Sequence, residues 1–117
     1  MSDALIAGER VLLAGERVCG GTITADVRVL TDPRDAVQVL DGEILVVPHS
    51  HPEFALGIIQ AGGLICENGG ILSHLCTVAL ELGIPCVTEV KDATSVLSTS
   101  MRVTLDGDRG LIYAAKY

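Results

Sequence analysis

Residues 67–90 constrain the fold more than any other stretch of the chain. They read Glu67-Asn68-Gly69-Gly70-Ile71-Leu72-Ser73-His74, then Leu75 to Leu82, then Gly83-Ile84-Pro85-Cys86-Val87. Leu75, Val78, Ala79 and Leu82 fall at the i, i+3, i+4, i+7 spacing of one apolar helical face. Ser73 is a natural N-cap, because its hydroxyl can accept a bond from a free N–H of the first turn. Gly83 suits the position just past the helix end, and Pro85 forbids continuation. The segment therefore predicts a glycine turn, a helix beginning near His74, a sharp stop and a strand.

A histidine at that place has chemical consequences. Helix N-termini carry unpaired N–H groups and the positive end of the helix dipole, and phosphate is the usual anion there. Gly69 and Gly70 take side chains out of the approach, so backbone can come close to a ligand. Such a histidine can accept a phosphoryl group and hold it. The competing description is a helix-start histidine facing solvent, and position and residue type leave both open.

The flanks supply a sheet. Residues 1–21 are ambiguous: Ala7-Gly8-Glu9-Arg10-Val11 recurs as Ala14-Gly15-Glu16-Arg17-Val18, which reads as coincidence or as two short extended pieces. Thr22 to Leu30 alternates, with Ile23, Ala25, Val27 and Val29 on one face, as in a half-buried antiparallel strand. Asp32-Pro33-Arg34-Asp35 and Asp41-Gly42 are turn chemistry, with a short helix or a loop over Ala36 to Leu40. Glu43 to Val47 is a compact apolar run. Pro52 starts a helix with Ser50 or His51 as cap and Phe54, Ala55, Ile58 and Ile59 as its apolar face. Leu64 to Cys66 and Cys86 to Val90 are further buried strands, parallel because helices separate them. Asp92 is a possible cap for a helical turn through Leu97. Met101 to Leu105 and Leu111 to Ala115 form a hairpin around Asp106-Gly107-Asp108-Arg109-Gly110, where Asp106 and Asp108 read as turn residues. The class is α/β, with a parallel β-α-β-α-β centre and antiparallel flanking strands.

Glu67, Gly69, Gly70, Ser73, His74, Ala79, Leu82, Gly83, Ile84 and Pro85 match, in order, the signature of the phosphohistidine swivelling domain. This is the mobile domain of phosphoenolpyruvate-utilising enzymes such as pyruvate phosphate dikinase, phosphoenolpyruvate synthase and enzyme I. Gly42-Glu43-Ile44-Leu45-Val46, Ala93-Thr94 and Val103-Thr104-Leu105-Asp106-Gly107, with Gly110 and Tyr113, extend the resemblance over residues 15–113. It implies a three-layer β/β/α swivelling fold and makes residues 1–117 a single such domain. It also implies that His74 is the phosphorylated residue, and that any metal belongs to partner domains. Three positions depart from the pattern: Leu72 replaces the usual Thr, Leu75 a small residue and Leu80 the usual Arg. Glu67 could orient the His74 imidazole, as carboxylates do in triads, or bond turn amides; the turn role is preferred.

The net charge of −7 argues against nucleic-acid and anionic-membrane partners. No apolar run is long enough to span a bilayer, and Met1-Ser2-Asp3-Ala4 lacks the basic flank of a signal peptide, so a cytoplasmic location is expected. Cys19, Cys66, Cys76 and Cys86 show no metal spacing and are expected as reduced, buried residues. His49 and His51 can point the same way and share a metal, but no third ligand is evident. There is no Gly-x-x-x-x-Gly-Lys-[Ser/Thr] loop and no arginine cluster near His74, so the chain is expected to bind no cofactor of its own. An ATP-grasp or phosphoenolpyruvate-binding protein, acting in trans with its own magnesium, is the expected partner. Ile71, Leu72 and Leu75 are the expected docking surface, with Gly69, Gly70, Ser73 and Glu67 supporting the phosphate. The alternative is a degenerate interaction or regulatory module that keeps the fold without the chemistry.

Overall fold

The computed structural model describes residues 5–6 and 9–115. Its strands are β1 (Leu5–Ile6), β2 (Glu9–Ala14), β3 (Glu16–Cys19), β4 (Thr22–Val29), β5 (Ile44–Val47), β6 (Gly63–Cys66), β7 (Cys86–Thr88), β8 (Arg102–Asp106) and β9 (Leu111–Ala114). The helices are α1 (Ala55–Ile58), α2 (His74–Leu82) and α3 (Ala93–Val96), with 3-10 turns at Pro33–Gln38 and Pro52–Phe54. Strand order is β1-β2-β9-β8-β4-β5-β6-β7-β3. β4, β5, β6 and β7 run parallel to one another, whereas β8 and β9 are antiparallel and β3 closes the far edge antiparallel to β7. β4 thus joins both halves: it pairs parallel with β5 and antiparallel with β8, where a purely antiparallel sheet was expected.

The layers follow from the two-residue period of the central strands. Leu45 and Val47 of β5, Leu64 and Cys66 of β6 and Cys86 of β7 face the helices, against Phe54, Ile58, Leu75, Cys76 and Ala79. Ile44 and Val46, Ile65 and Val87 point the other way, against Val103, Leu105 and Ile112 of the antiparallel half and Ala93 and Leu97 around α3. Central strands buried on both faces read as continuous apolar runs, as β5 and β6 do. The result is the expected three-layer β/β/α arrangement.

The helices differ in detail from the periodicity. α2 buries Leu75, Cys76 and Ala79, while Leu82 is exposed. Its seated face is centred on Cys76 and Ala79, whose small side chains let the helix lie close to the sheet. Ile59 is exposed, because the chain leaves α1 after a single turn. Gly83 ends α2 with φ +71, and its N–H donates to the carbonyls of Ala79 and Leu80, a left-handed cap that favours glycine. Asp92 takes the N-cap position of α3 but makes no side-chain cap bond. Asp106 accepts bonds from the N–H groups of Asp108 and Arg109 and from the Tyr113 hydroxyl, confirming its place in hairpin construction. Ala7 and Gly8 of the first repeat lie outside the described residues.

The turn before β5 is tied to β4 by a two-pronged ion pair. Arg28 donates Nε–H and an Nη2–H to the Glu43 carboxylate at 2.9 and 3.0 Å, and the Leu40 N–H adds a third bond at 2.8 Å. Burial pushes Glu43 up, but the Arg28 and Leu40 bonds outweigh it and hold the carboxyl below its ordinary value. Its contribution is therefore complete above the ordinary glutamate range and is lost as pH falls through the depressed value. Both partners are mostly shielded. Glu43→Ala should cost about 2 kcal/mol at pH 7 by urea denaturation, and the gap to wild type should narrow at acid pH.

Candidate functional site

The carboxyl ends of three adjacent parallel strands, where ligands gather in open α/β sheets, deliver the residues of the site. β5 leads to Pro48-His49-Ser50-His51, β6 to Glu67-Asn68-Gly69-Gly70 and β7 to Glu89. α2 starts from the loop after β6. His74 is its first residue and is exposed, as the sequence required.

Ser73 takes the N-cap position with extended backbone (φ −68, ψ 160), but its hydroxyl makes no cap bond. That hydroxyl is buried with no nitrogen or oxygen partner among the described residues, and lies beside the Cys76 thiol. The first-turn N–H of Leu75 instead donates to Ser50 Oγ at 2.9 Å. The cap is tertiary: a serine from the end of β5 reaches the helix before Ser73 can. Ser73 contributes through its carbonyl, which accepts from the Thr77 N–H at 3.0 Å and the Thr77 hydroxyl at 3.1 Å.

The glycine turn is occupied from within. The N–H groups of Gly69 and Gly70 both donate to Oε2 of Glu89, at 2.9 and 2.8 Å. These two amides hold the Glu89 carboxyl below its ordinary value. Gly69 (φ +153) and Gly70 (φ +69) both use the freedom of glycine. Glu89 itself sits at φ +55, a left-handed conformation that costs a residue with a side chain roughly 1 kcal/mol. The turn is also fixed to the neighbouring strand by Asn68, whose N–H and Nδ2–H both donate to the Pro48 carbonyl at 3.2 Å. The Ser73 N–H donates to the Gly70 carbonyl at 3.3 Å and closes the approach to His74.

Glu67 takes neither of its two expected parts. Its Oε1 accepts the N–H and the hydroxyl of Thr94, at 2.9 and 2.7 Å, and these bonds hold its carboxyl below the ordinary value. It anchors the end of β6 to α3, on the side of the sheet away from α2. Thr94 supplies a matched pair of donors, so the carboxylate is drawn there rather than to the turn amides. Ser50 was expected as a cap for the Pro52 turn and caps α2 instead. Glu89 was expected inside a strand over Cys86 to Val90, but β7 ends at Thr88 and leaves Glu89 in the loop beyond it.

Of the expected docking residues, Ile71 and Leu72 are exposed, Leu72 at 90%. Leu75 is fully buried in the helix-side core and so is removed from that surface. Leu80 is exposed on the outer side of α2. His51 Nδ1 accepts the Glu53 N–H at 3.1 Å and caps the Pro52–Phe54 turn, and His49 packs against Phe54 with ring centroids 5.8 Å apart. Among the described residues no group of three His, Cys, Asp or Glu is placed to hold a metal ion, and no helix is long and apolar enough to cross a membrane.

All four cysteines are free thiols, three of them buried beneath the site. Burial, with the neighbouring Cys76, pushes the Cys66 thiol up to about 11, and Cys66 donates to the Asn68 carbonyl at 2.8 Å. Cys86 is pushed up by donating to Cys76 and by burial, and the same bond pulls the Cys76 thiol down.

Residues 39–110 match the model of the PEP-utilising enzyme mobile domain, where PEP is phosphoenolpyruvate. The chain belongs to this family. Phosphoenolpyruvate synthase of Pyrococcus furiosus is 39% identical over 103 residues, covering 88% of this chain and 13% of that enzyme. The matching protein of Aeropyrum pernix is 34% identical over 113 residues, covering 96% of this chain and 14% of its own length. The chain thus spans a small fraction of the curated relatives it matches. Among solved structures, the N-terminal domain of Enzyme 1 – Nitrogen superposes with a TM-score of 0.58 at 24% identity, covering 71% of this chain and 36% of that one. This likeness shows the fold, that of the mobile domain.

The two serines make opposite predictions. Ser50→Ala removes the tertiary cap and should cost about 1 kcal/mol. Ser73→Ala removes a buried hydroxyl whose polar neighbour is the weakly bonding Cys76 thiol and should cost little or nothing. Urea midpoints of the two variants check the ranking.

Proposed function

We propose that this mobile domain is a phosphohistidine carrier, with His74 as the residue that takes and surrenders the phosphoryl group. The observation that carries the proposal is the exposed His74 at the first position of α2, directly after the Gly69–Gly70 turn, in a chain of this family. An imidazole nitrogen with a free lone pair attacks the phosphorus of the donor. A P–N bond forms, the P–O bond to the leaving group breaks, and its electron pair departs on that oxygen. The proton released from the imidazolium passes to solvent. Transfer to the acceptor reverses these steps with a new oxygen nucleophile.

An imidazole alone supplies neither in-line positioning nor charge neutralisation, on which phosphoryl transfer depends. The reading therefore assigns both to a partner active site, of ATP-grasp or phosphoenolpyruvate-binding type, in the cytoplasm. Partner-bound magnesium with ATP or phosphoenolpyruvate would neutralise the phosphoryl charge there. Ile71 and Leu72, apolar and exposed beside His74, are the contact surface for docking. A degenerate interaction or regulatory module is the second reading, favoured by the Glu89 carboxylate resting on the turn amides.

Labelling separates the two. The intact protein is incubated with phosphoramidate, a small phosphoryl donor, and separately with phosphoenolpyruvate or magnesium-ATP in host extract. It is then analysed by mass spectrometry at alkaline pH, since phosphohistidine is acid-labile. A carrier gains one phosphoryl group on His74, and His74→Ala loses it completely. No label on His74 from any donor would reject the carrier reading.

A further inference from the structure

Two consecutive backbone N–H groups converge on one point at the Gly69–Gly70 turn, and that point holds a carboxylate oxygen. Successive amides turned toward one concavity form an anion-binding nest. Here the anion comes from the same chain, from a residue 20 positions away in sequence from Gly69. Glu89 reaches it from a left-handed backbone conformation that glycine would adopt freely. A side chain kept at φ +55 and bonded to both amides is a placed group, not a passing surface contact. It is also exposed, so no packing holds it against displacement.

The same turn leads to His74 within four residues, through the bond from the Ser73 N–H to the Gly70 carbonyl. A Cβ on Gly69 would approach Ser50 Cβ at 3.2 Å and Ser73 Oγ at 3.3 Å, whereas one on Gly70 would meet nothing within 4 Å. The turn is therefore packed on its inner side and open on its outer side. An intramolecular carboxylate competes for the amides at a roughly millimolar or higher effective concentration, whatever the level of free ion. It also repels a second anion at short range.

We propose that Glu89 is the resident anion of the Gly69–Gly70 nest and a specificity-determining residue of the site, shutting out free tetrahedral oxyanions of the phosphate class. The proposal rests on the carrier reading for its purpose: a carrier that stored free phosphate beside His74 would block its own loading. Glu89 yields the amides only to a phosphoryl group brought to His74 by a docked donor.

The experiment uses the unphosphorylated protein, so its result is independent of whether His74 can be labelled. Inorganic phosphate is titrated at pH 7 into the wild type and into Glu89→Gly, Glu89→Gln and Glu81→Gln, following the backbone amide resonances of Gly69 and Gly70. Glu81 is an exposed carboxylate on α2 and serves as the charge control. In Glu89→Gly the two amides should shift saturably, with apparent affinity for phosphate raised by about tenfold or more over wild type. Glu89→Gln keeps a neutral acceptor oxygen and should fall between them, and Glu81→Gln should match wild type. The amide spectrum reports whether each variant is folded, and Glu89→Gln decides if Glu89→Gly is not. Equal shifts in wild type and the Glu89 variants, or no shift of Gly69 and Gly70 in either variant, would overturn the proposal. Neither result bears on labelling of His74, which stands or falls by its own test.

Discussion

The parallel pairing of β5, β6 and β7 is the constraint on which the remaining structure depends. These strands are buried on both faces, so they are apolar except at Thr88 and each needs a covering layer on both sides. α1 and α2 cover one face, and the β8–β9 half together with α3 covers the other. Parallel direction then puts three carboxyl ends at one edge, and the loops leaving that edge carry Ser50, the glycine turn and Glu89. The site is a consequence of strand direction before it is a consequence of any one residue.

Hydrogen bonds between those loops convert proximity into geometry. Ser50 caps α2 from β5, Asn68 holds the turn to Pro48, Glu89 fills the turn from β7, and Glu67 pins the opposite side to α3. Each bond joins segments at least 19 residues apart, and several use carboxylates, whose bonds to N–H groups are stronger than neutral ones. The loops can therefore remain at the surface, with His74 exposed, while the backbone that presents it is fixed.

The cost of this arrangement is visible beneath and within the turn. Ser73 Oγ and Thr88 Oγ1 are buried with no nitrogen or oxygen partner among the described residues, beside cysteine thiols, and Glu89, Asp92 and Ser100 adopt positive φ. Two of these strained or unsatisfied residues, Ser73 and Glu89, lie at the site itself. Strain of this kind persists only where surrounding structure over-determines the conformation. Here the buried central strands supply that support.

The sequence by itself determined the elements whose signals are local. The apolar runs of β5 and β6, the start of α2 at His74, its stop at Gly83 and the hairpin at Asp106–Gly110 all depend on residues within one turn of each other. The resemblance carried by residues 67–85 and their flanks supplied the family and the layer order. The tertiary structure alone decided who bonds whom across the carboxyl edge. It gave the cap of α2 to Ser50 rather than Ser73, sent Glu67 to Thr94 and put Glu89 on the glycine amides. Each of these is a competition between a near partner and a distant one. Periodicity and capping preference rank only the near partners, whereas the winner depends on distances set by strand pairing.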